Sequence, residues 1–179
     1  MTFVRSLSVI VALGVAGCAS LPSPTETNGG ILAFPMHPDN NTGRPYSYHY
    51  GFKIFEKDTD LEVMEIDVRM SSGDYVDTYG PLAEGDYYLG TFQTKVDRKD
   101  NVRYNFNDSI VPINIPFNIQ EDTITVLDTM MWVKIRARAD TKGWTTSRDL
   151  VNLSSDVEAE ALKELESKNE GLGWAIQLQ

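Results

Sequence analysis

The chain has 179 residues, of which 16 are Lys or Arg and 26 are Asp or Glu, and its formal net charge is −10. This length allows one domain with its own hydrophobic core and is short for two. The acidic balance disfavours nucleic acid and anionic lipid as partners. Cys18 is the single cysteine, which excludes an internal disulfide bond.

The start of the chain has the order of an export signal. Arg5 supplies a positive charge, and Leu7 to Val15 is an apolar stretch too short to span a bilayer. The segment Val15-Ala16-Gly17-Cys18 then places small residues directly before the cysteine. This arrangement resembles the signal peptide and lipobox of a bacterial lipoprotein, so residues 1–17 are predicted to be a signal peptide. The alternative is an ordinary secretory signal whose cysteine is incidental.

The resemblance implies that the thiol of Cys18 is acylated, as in palmitate-carrying lipoproteins, and that Cys18 becomes the new N-terminus. Two or more acyl chains anchor a protein lastingly, whereas one chain binds marginally. Ala19 and Ser20 follow Cys18, and neither is aspartate. In Gram-negative lipoproteins this resembles the default of transport to the outer membrane. The membrane is therefore the expected partner of Cys18. The sequence does not determine which side of the outer membrane the protein faces.

Residues 18–30 are predicted to form the lipidated cysteine and a flexible tether. The twelve residues from Ala19 to Gly30 are rich in Pro, Ser, Thr and Gly and lack apolar periodicity. Such a segment has an r.m.s. reach of about 20 Å, enough to lift a domain clear of the headgroups. The folded domain is then expected to span residues 31–179.

Alternation of apolar and polar side chains dominates the chain from residue 31 to about 139, which is typical of half-buried β-strands. The predicted strands are Tyr46 to Ile54, Met64 to Met70, Tyr87 to Val96 and Ile113 to Ile119, and Thr123 to Leu127 with Met131 to Ala137 form a further strand pair or one bent strand. Val63 falls out of register, which predicts a β-bulge or a strand start there. Pro116 has no backbone N–H, so its strand is predicted to lie at a sheet edge.

One segment near the end has helical spacing. Ser155 and Glu158 have the capping-box arrangement, and the apolar residues that follow recur every four positions. A helix is predicted from about Asp156 to Asn169, with a final strand over 172–178. Short strands with no helix between them predict a mainly β fold, an antiparallel β-sandwich with one C-terminal α-helix.

Residues 81–88, with the sequence PLAEGDYY, enter the third predicted strand. They resemble the Leu-x-x-Gly-x-Tyr entry to a strand in prealbumin-like and carboxypeptidase-regulatory-like β-sandwiches. In those domains the glycine permits a tight turn and the tyrosine packs between the sheets. The resemblance implies an Ig-like or prealbumin-like sandwich and implies no catalytic residues.

Signals for catalysis and metal binding are weak. No Gly-x-Ser-x-Gly elbow occurs, and His37 and His49 are the only imidazoles. Together with Asp39 they make at most a partial metal site, short of the ligands that zinc needs. The loops at 58–60 and 97–101 lack EF-hand spacing, and turn formation explains their Asp and Asn residues, with calcium at a loop tip as the alternative. We therefore predict no catalytic residue, no metal and no cofactor.

A local basic stripe stands out in this acidic chain. Lys134, Arg136 and Arg138 share one face of a predicted strand, with Trp132 beside them. Lys142 and Arg148 lie nearby in the sequence. One interpretation is the solvated face of a strand. The other is a contact surface for an acidic partner or a polysaccharide, with the tryptophan stacking on it.

The tyrosines are open to two interpretations as well. The cluster comprises Tyr46, Tyr48, Tyr50, Tyr87 and Tyr88, which either pack in the core and along sheet edges or form a sugar platform. The sequence thus predicts a non-catalytic outer-membrane lipoprotein that acts as a protein-interaction or structural component of the envelope. A glycan-binding β-sandwich is the alternative, and an envelope hydrolase has the least support.

Overall fold

The structure, a computed structural model, describes residues 21–40, 42, 48–69, 73–96, 110–139 and 144–179. The strands are β1 (Gly30–Asn40), β2 (Tyr48–Glu56), β3 (Glu62–Arg69), β4 (Val76–Leu82), β5 (Gly85–Val96), β6 (Val111–Ile119), β7 (Thr123–Val126), β8 (Thr129–Ala137), β9 (Trp144–Asn152) and β10 (Ala175–Leu178). A short 3-10 turn, Pro24–Glu26, precedes them, and the helix α1 (Ser155–Asn169) lies between β9 and β10. The described chain is therefore mainly β with one helix, as predicted.

Four strands form a sheet in the order β3-β2-β5-β6, called the second sheet here, and every neighbouring pair in it is antiparallel. The pairing passes from Ile54 opposite Met64 to Phe55 opposite Glu62, so Val63 is the extra residue of a β-bulge. The bulge predicted at Val63 is confirmed. The strand of Pro116, β6, lies at the edge of this sheet, which confirms the prediction from its missing N–H.

Five strands of the first sheet are paired in the order β10-β7-β1-β8-β9. Its sixth strand, β4, also pairs with β1 and is not part of this linear order. β1 runs parallel to β7 through Ile31–Ala33 and parallel to β8 through Met36–Asn40. β10 is parallel to β7 as well. The prediction of a wholly antiparallel arrangement is wrong for this sheet, which is mixed. Parallel neighbours need a long crossover. The strands of the second sheet lie within the crossovers from β1 to β7 and from β1 to β8, whereas β8, β9 and α1 form the crossover from β7 to β10.

The main core lies between the two sheets. Phe34 on β1 meets Phe52 on β2 with their ring centroids 4.9 Å apart. The alternate side chains of each strand point into this layer, and the largest fully buried ones include Tyr50, Leu32, Met36, Ile66, Leu89 and Met131. Two sheets with their inner faces in contact fit a β-sandwich.

α1 covers part of the outer face of the first sheet. Ala161 and Leu165 of the helix join Ile31, Ala33 and Val126 of the sheet in a second apolar cluster. The helix begins at Ser155, with Ser154 as its N-cap, and no side-chain cap hydrogen bond is formed. The predicted capping box is therefore wrong, since Ser155 lies inside the helix. The predicted final strand is present as β10.

The segment before β1 is packed where a flexible tether was predicted. Leu21 is 7% exposed and belongs to the cluster beneath α1. The indole Nε1 of Trp174 donates a hydrogen bond of 2.7 Å to the carbonyl oxygen of Pro22. Burying a leucine contributes about 1.5–3 kcal/mol, which offsets part of the entropy cost of ordering this segment. The tether prediction is therefore wrong for residues 21–30, and residues 18–20 lie outside the described ranges.

Candidate functional site

The outer face of the first sheet has a half that α1 covers and a half that carries the predicted basic stripe. Trp132, Lys134 and Arg136 alternate on β8 with the buried Val133 and Ile135. β1 brings His37 opposite Trp132 and Asp39 opposite Lys134. We call these five outward residues, Trp132, Lys134, Arg136, His37 and Asp39, the β8 face.

An aromatic ring and a cation lie together on the β8 face. The Nζ of Lys134 sits 5.8 Å from the centre of the Trp132 ring, within the range of a cation–π contact. Trp132 is half-buried, and its Nε1 is enclosed without a hydrogen-bond partner in the structure. The same is true of the Nδ1 of His37, whose ring lies 6.3 Å from that of Tyr75. The structure thus brings together Trp132 and Lys134 as predicted, and adds His37 beside them.

Arg136 is held by a neighbouring strand. Its Nη2 pairs with a carboxylate oxygen of Asp39 at 2.5 Å, and its Nη1 donates to the carbonyl oxygen of Asp39 at 3.0 Å. The hydrogen bond from Arg136 keeps the pKa of Asp39 below its ordinary value, while burial acts in the opposite direction. Because Asp39 neutralises Arg136 locally, Lys134 provides more of the accessible positive charge of the β8 face than Arg136 does.

The other basic residues of the predicted stripe are dispersed. Arg138 is exposed and follows the end of β8. Arg148 points to the opposite side of the first sheet, where its guanidinium lies 5.8 Å from the centre of the Phe92 ring of the second sheet. Arg148, which lies near the stripe in the sequence, is therefore not part of it, because β9 pairs Arg148 with the inward-facing Val133. Lys142 and Cys18 lie outside the described residues.

The outer face of the second sheet carries a charge network that includes a histidine. His49 Nδ1 is hydrogen-bonded to Asp67 across β2 and β3, at 2.7 Å. Lys95 of β5 reaches Glu65 at 2.7 Å and lies 3.9 Å from Asp67. The side chain of Lys95 passes over β2 at Gly51 to reach β3. A Cβ at position 51 would stand 2.7 Å from the Cε of Lys95, so glycine leaves the space that the lysine occupies. The partner of His49 comes from the pairing of β2 with β3, which the sequence alone does not show.

The tyrosine cluster divides between the core and the surface. Tyr50 and Tyr87 are buried between the sheets, which favours the packing interpretation for both. Tyr88 is half-buried and stacks on Phe55, with ring centroids 5.3 Å apart and planes inclined by 17°. The hydroxyl of Tyr88 donates to Asp60 at 2.9 Å. Phe55 was not among the predicted aromatics. Tyr46 and the side chain of Tyr48 lie outside what the structure describes.

The described residues give little that resembles a metal or ligand cage. Among them, no three His, Cys, Asp or Glu side chains come together as metal ligands. The 58–60 loop is a turn in which Asp60 adopts φ 54°. The hydroxyl of Thr59 donates to the carboxylate of Glu56 in β2, and Asp60 accepts a hydrogen bond from Tyr88. The loop at 97–101 lies outside the described ranges. A pocket of about 210 Å³ near the start of β5 is lined by Lys57, Asp86, Tyr87, Pro116, Phe117, Asn118 and Gln179.

Comparison with protein-family models, curated proteins and solved structures finds no match to this chain. No helix within the described part combines the length and apolar character that crossing a membrane requires.

Proposed function

We propose that this chain is a non-catalytic lipoprotein of the bacterial outer membrane, acylated on Cys18, which acts by contact with other envelope components. The contact surface is the β8 face together with Arg138. One observation supports this choice of surface: Trp132 and Lys134 stand side by side on the half of the outer face that α1 leaves uncovered. Tryptophan is among the side chains that contribute most to binding energy at protein interfaces.

The anchor is supported by the residues that precede the domain. Val15, Ala16 and Gly17 lead into the only cysteine of the chain. In cells, Cys18→Ala is expected to move the protein from the membrane fraction to the soluble envelope fraction, and Ser20→Ala is the matched control. Mass spectrometry of the purified protein should find a diacyl or triacyl modification on Cys18. A Cys18→Ala protein that stays in the membrane fraction would refute the anchor.

The contact surface can be tested independently of the anchor. Cells that express the full chain are solubilised in a mild detergent, the chain is captured, and the envelope proteins that co-purify with it are quantified. We expect Trp132→Ala and Lys134→Glu each to reduce the yield of a specific co-purified partner by at least about tenfold, since one central anchor contributes about 1.4 kcal/mol or more. Lys163→Glu, on the exposed face of α1, is the control. Equal yields from all four proteins would rule out the β8 face.

The finer fold assignment belongs to the same proposal. The domain is proposed to be an Ig-like or prealbumin-like sandwich, because the tyrosine of the Leu-x-x-Gly-x-Tyr segment packs between the sheets, as the corresponding tyrosine does in those domains. Tyr87 is 5% exposed, stacks on Phe117 at 5.7 Å, and donates from its hydroxyl to the carbonyl oxygen of Ala83 at 2.9 Å. Sandwich domains use such a tyrosine to fix the corner at a strand entry. An experimental structure with another strand connectivity would reject this assignment.

A glycan-binding function is the second candidate, and one observation favours it. Phe55 and Tyr88 form a stacked, half-exposed aromatic pair on the outer face of the second sheet. Sugar rings pack on surfaces of this kind, with nearby polar groups giving orientation. Calorimetric titration with envelope polysaccharides should then give binding that Tyr88→Ala abolishes and Thr91→Ala preserves. Absence of heat, or heat that survives Tyr88→Ala, would eliminate this candidate.

A further inference from the structure

We infer that the side of the domain formed by residues 21–26 and α1 lies directly against a zwitterionic phospholipid surface, with the outer face of the second sheet turned away from it. This inference rests on the proposed acylation of Cys18. It adds the orientation of the domain and the surface that meets the membrane.

The first step is the length of chain between the anchor and the fold. Only three peptide steps separate Cys18 from Leu21, and consecutive Cα atoms are 3.8 Å apart, so this connection spans at most about 11 Å. The headgroup layer of one leaflet is itself about 5–8 Å deep. An anchor at the base of that layer therefore keeps Leu21 at the membrane surface.

The second step is that the fold supplies no slack beyond Leu21. Leu21 is buried in the apolar cluster beneath α1, and Pro22 accepts the hydrogen bond from Trp174. The backbone N–H of Ser23 reaches the carboxylate of Glu26, and Glu26 N–H bonds to the Ser23 carbonyl. A free segment from residue 19 to residue 30 would have allowed the domain to tumble at a distance from the membrane. A segment packed against the domain keeps the domain close to the membrane.

The third step is where Leu21 lies on the domain. Its cluster partners include Ala33 and Val126 of the first sheet and Ala161 and Leu165 of α1. These side chains are on the outer face of the first sheet, opposite the core that separates it from the second sheet. A bulky domain attached beneath α1 by a short connection approaches the membrane with residues 21–26 and α1. The β8 face, on the other half of the same outer face, lies beside this contact and is left for a protein partner. The charge network of His49 and Asp67 and the Phe55–Tyr88 pair then face away.

The charge of α1 identifies the kind of lipid surface. The helix carries five acidic side chains and two lysines, at Lys163 and Lys168. Anionic lipids would repel this surface, whereas zwitterionic headgroups carry no net charge. The contact is consequently held by the covalent anchor and not by electrostatic attraction, and it should change little with salt concentration.

The orientation can be measured on the full acylated protein in phosphatidylcholine vesicles. Acylation consumes the thiol of Cys18, so an introduced cysteine can be labelled alone. Two exposed positions are compared, Thr25→Cys in the 3-10 turn and Asp58→Cys in the β2–β3 turn of the second sheet. The readout is quenching of a fluorophore by lipids that carry a spin label on the headgroup. We expect the label at position 25 to be quenched at least several-fold more than the label at position 58.

A linker variant makes the orientation itself the tested quantity. Insertion of about 20 Gly and Ser residues between Ser20 and Leu21 restores a long, flexible reach, and the two labels should then be quenched almost equally. Equal quenching in the protein without the insertion would overturn the orientation. Failure of the proposed function is distinguishable, because a protein without acyl chains would not bind the vesicles at all.

Discussion

The indole N–H of Trp174 donates to the carbonyl oxygen of Pro22, which joins the residues after α1 to the residues before β1. Trp174 is 4% exposed, and its own backbone N–H and carbonyl oxygen are bonded to the side chain of Asn169. The start of the described chain is thereby fixed through a tryptophan that is itself fixed at the end of the helix. This contact and the burial of Leu21 together hold residues 21 and 22 against the domain.

Substitution of Trp174 tests that contact. We expect Trp174→Phe to lower the free energy of unfolding by about 2 kcal/mol, because it removes one hydrogen bond and leaves part of a buried volume unfilled. Urea unfolding of the domain followed by circular dichroism measures the change. Limited proteolysis should also cut the variant faster near Leu21.

Trp132→Phe is the matched control, since it makes the same change in the other half of the outer face. The Nε1 of Trp132 is enclosed without a hydrogen-bond partner in the structure, so no bond is lost there. We expect a change in the free energy of unfolding of less than about 1 kcal/mol. Equal losses in the two variants would mean that the bond to Pro22 contributes nothing.

The sequence pattern predicts strands well where one face of a strand is buried and the other is exposed to solvent. β2, β3, β5 and β6 are of this kind, and their alternation was visible in the sequence. β1 was missed as a strand because it is central: its first residues, Gly30 to Met36, are buried on both faces, which removes the alternation. β9 was missed for the opposite reason, since Thr146 and Arg148 occupy its inward positions.

The candidate site could be predicted only to the extent that it follows one strand. Trp132, Lys134 and Arg136 were found because they alternate within β8. Asp39 and His37 were not linked to them, because their proximity comes from a parallel pairing between segments about a hundred residues apart. The Phe55–Tyr88 pair was missed because it also depends on strand register. The packing of Leu21 had no signal in a Pro- and Ser-rich segment.

Gly90 lies where the Phe55–Tyr88 pair needs space. A Cβ at this position would stand 2.6 Å from the ring of Phe55 and 2.9 Å from that of Tyr88. We expect Gly90→Ala to lower the free energy of unfolding by about 1–3 kcal/mol, because two rings must move, and to change the near-ultraviolet circular dichroism. Thermal and urea unfolding measure the first effect.

Gly51→Ala is the control for Gly90→Ala, since its neighbour is the flexible end of Lys95. That side chain can swing away, and the ion pair it gives up is partly exposed. We expect a change within about 0.5 kcal/mol. A loss at position 51 as large as that at position 90 would show that strand geometry, and not the aromatic pair, sets the cost.

Pro116 protects an edge. β6 pairs with β5 on one side, and Pro116 stands opposite Tyr88 in that pairing. A proline on an edge strand removes an N–H that another chain could pair with. We expect Pro116→Thr to increase self-association at high protein concentration, measured by sedimentation velocity. Asn114→Thr, at an exposed position of the same strand, should leave the degree of self-association equal to that of the parent.

Asp39 should make stability depend on pH in a defined direction. The bond from Arg136 lowers the pKa of Asp39 below its ordinary 3.8, so the folded state favours the charged carboxylate. This stabilisation is fully present above pH about 4 and is lost as the pH falls through the lowered value. Both side chains are about a third exposed, which limits the contribution to about 1 kcal/mol.

The test compares the parent with Asp39→Asn in urea unfolding from pH 7 to about pH 2. The parent should be more stable at pH 7, and the difference should shrink below pH about 4. Asp149→Asn, an exposed carboxylate on β9, controls for the general effect of charge. Carbon-13 NMR of the Asp39 carboxyl gives the direct reading: its midpoint should lie below 3.8 and rise in Arg136→Gln. A midpoint that Arg136→Gln leaves unchanged would contradict the role given to Arg136.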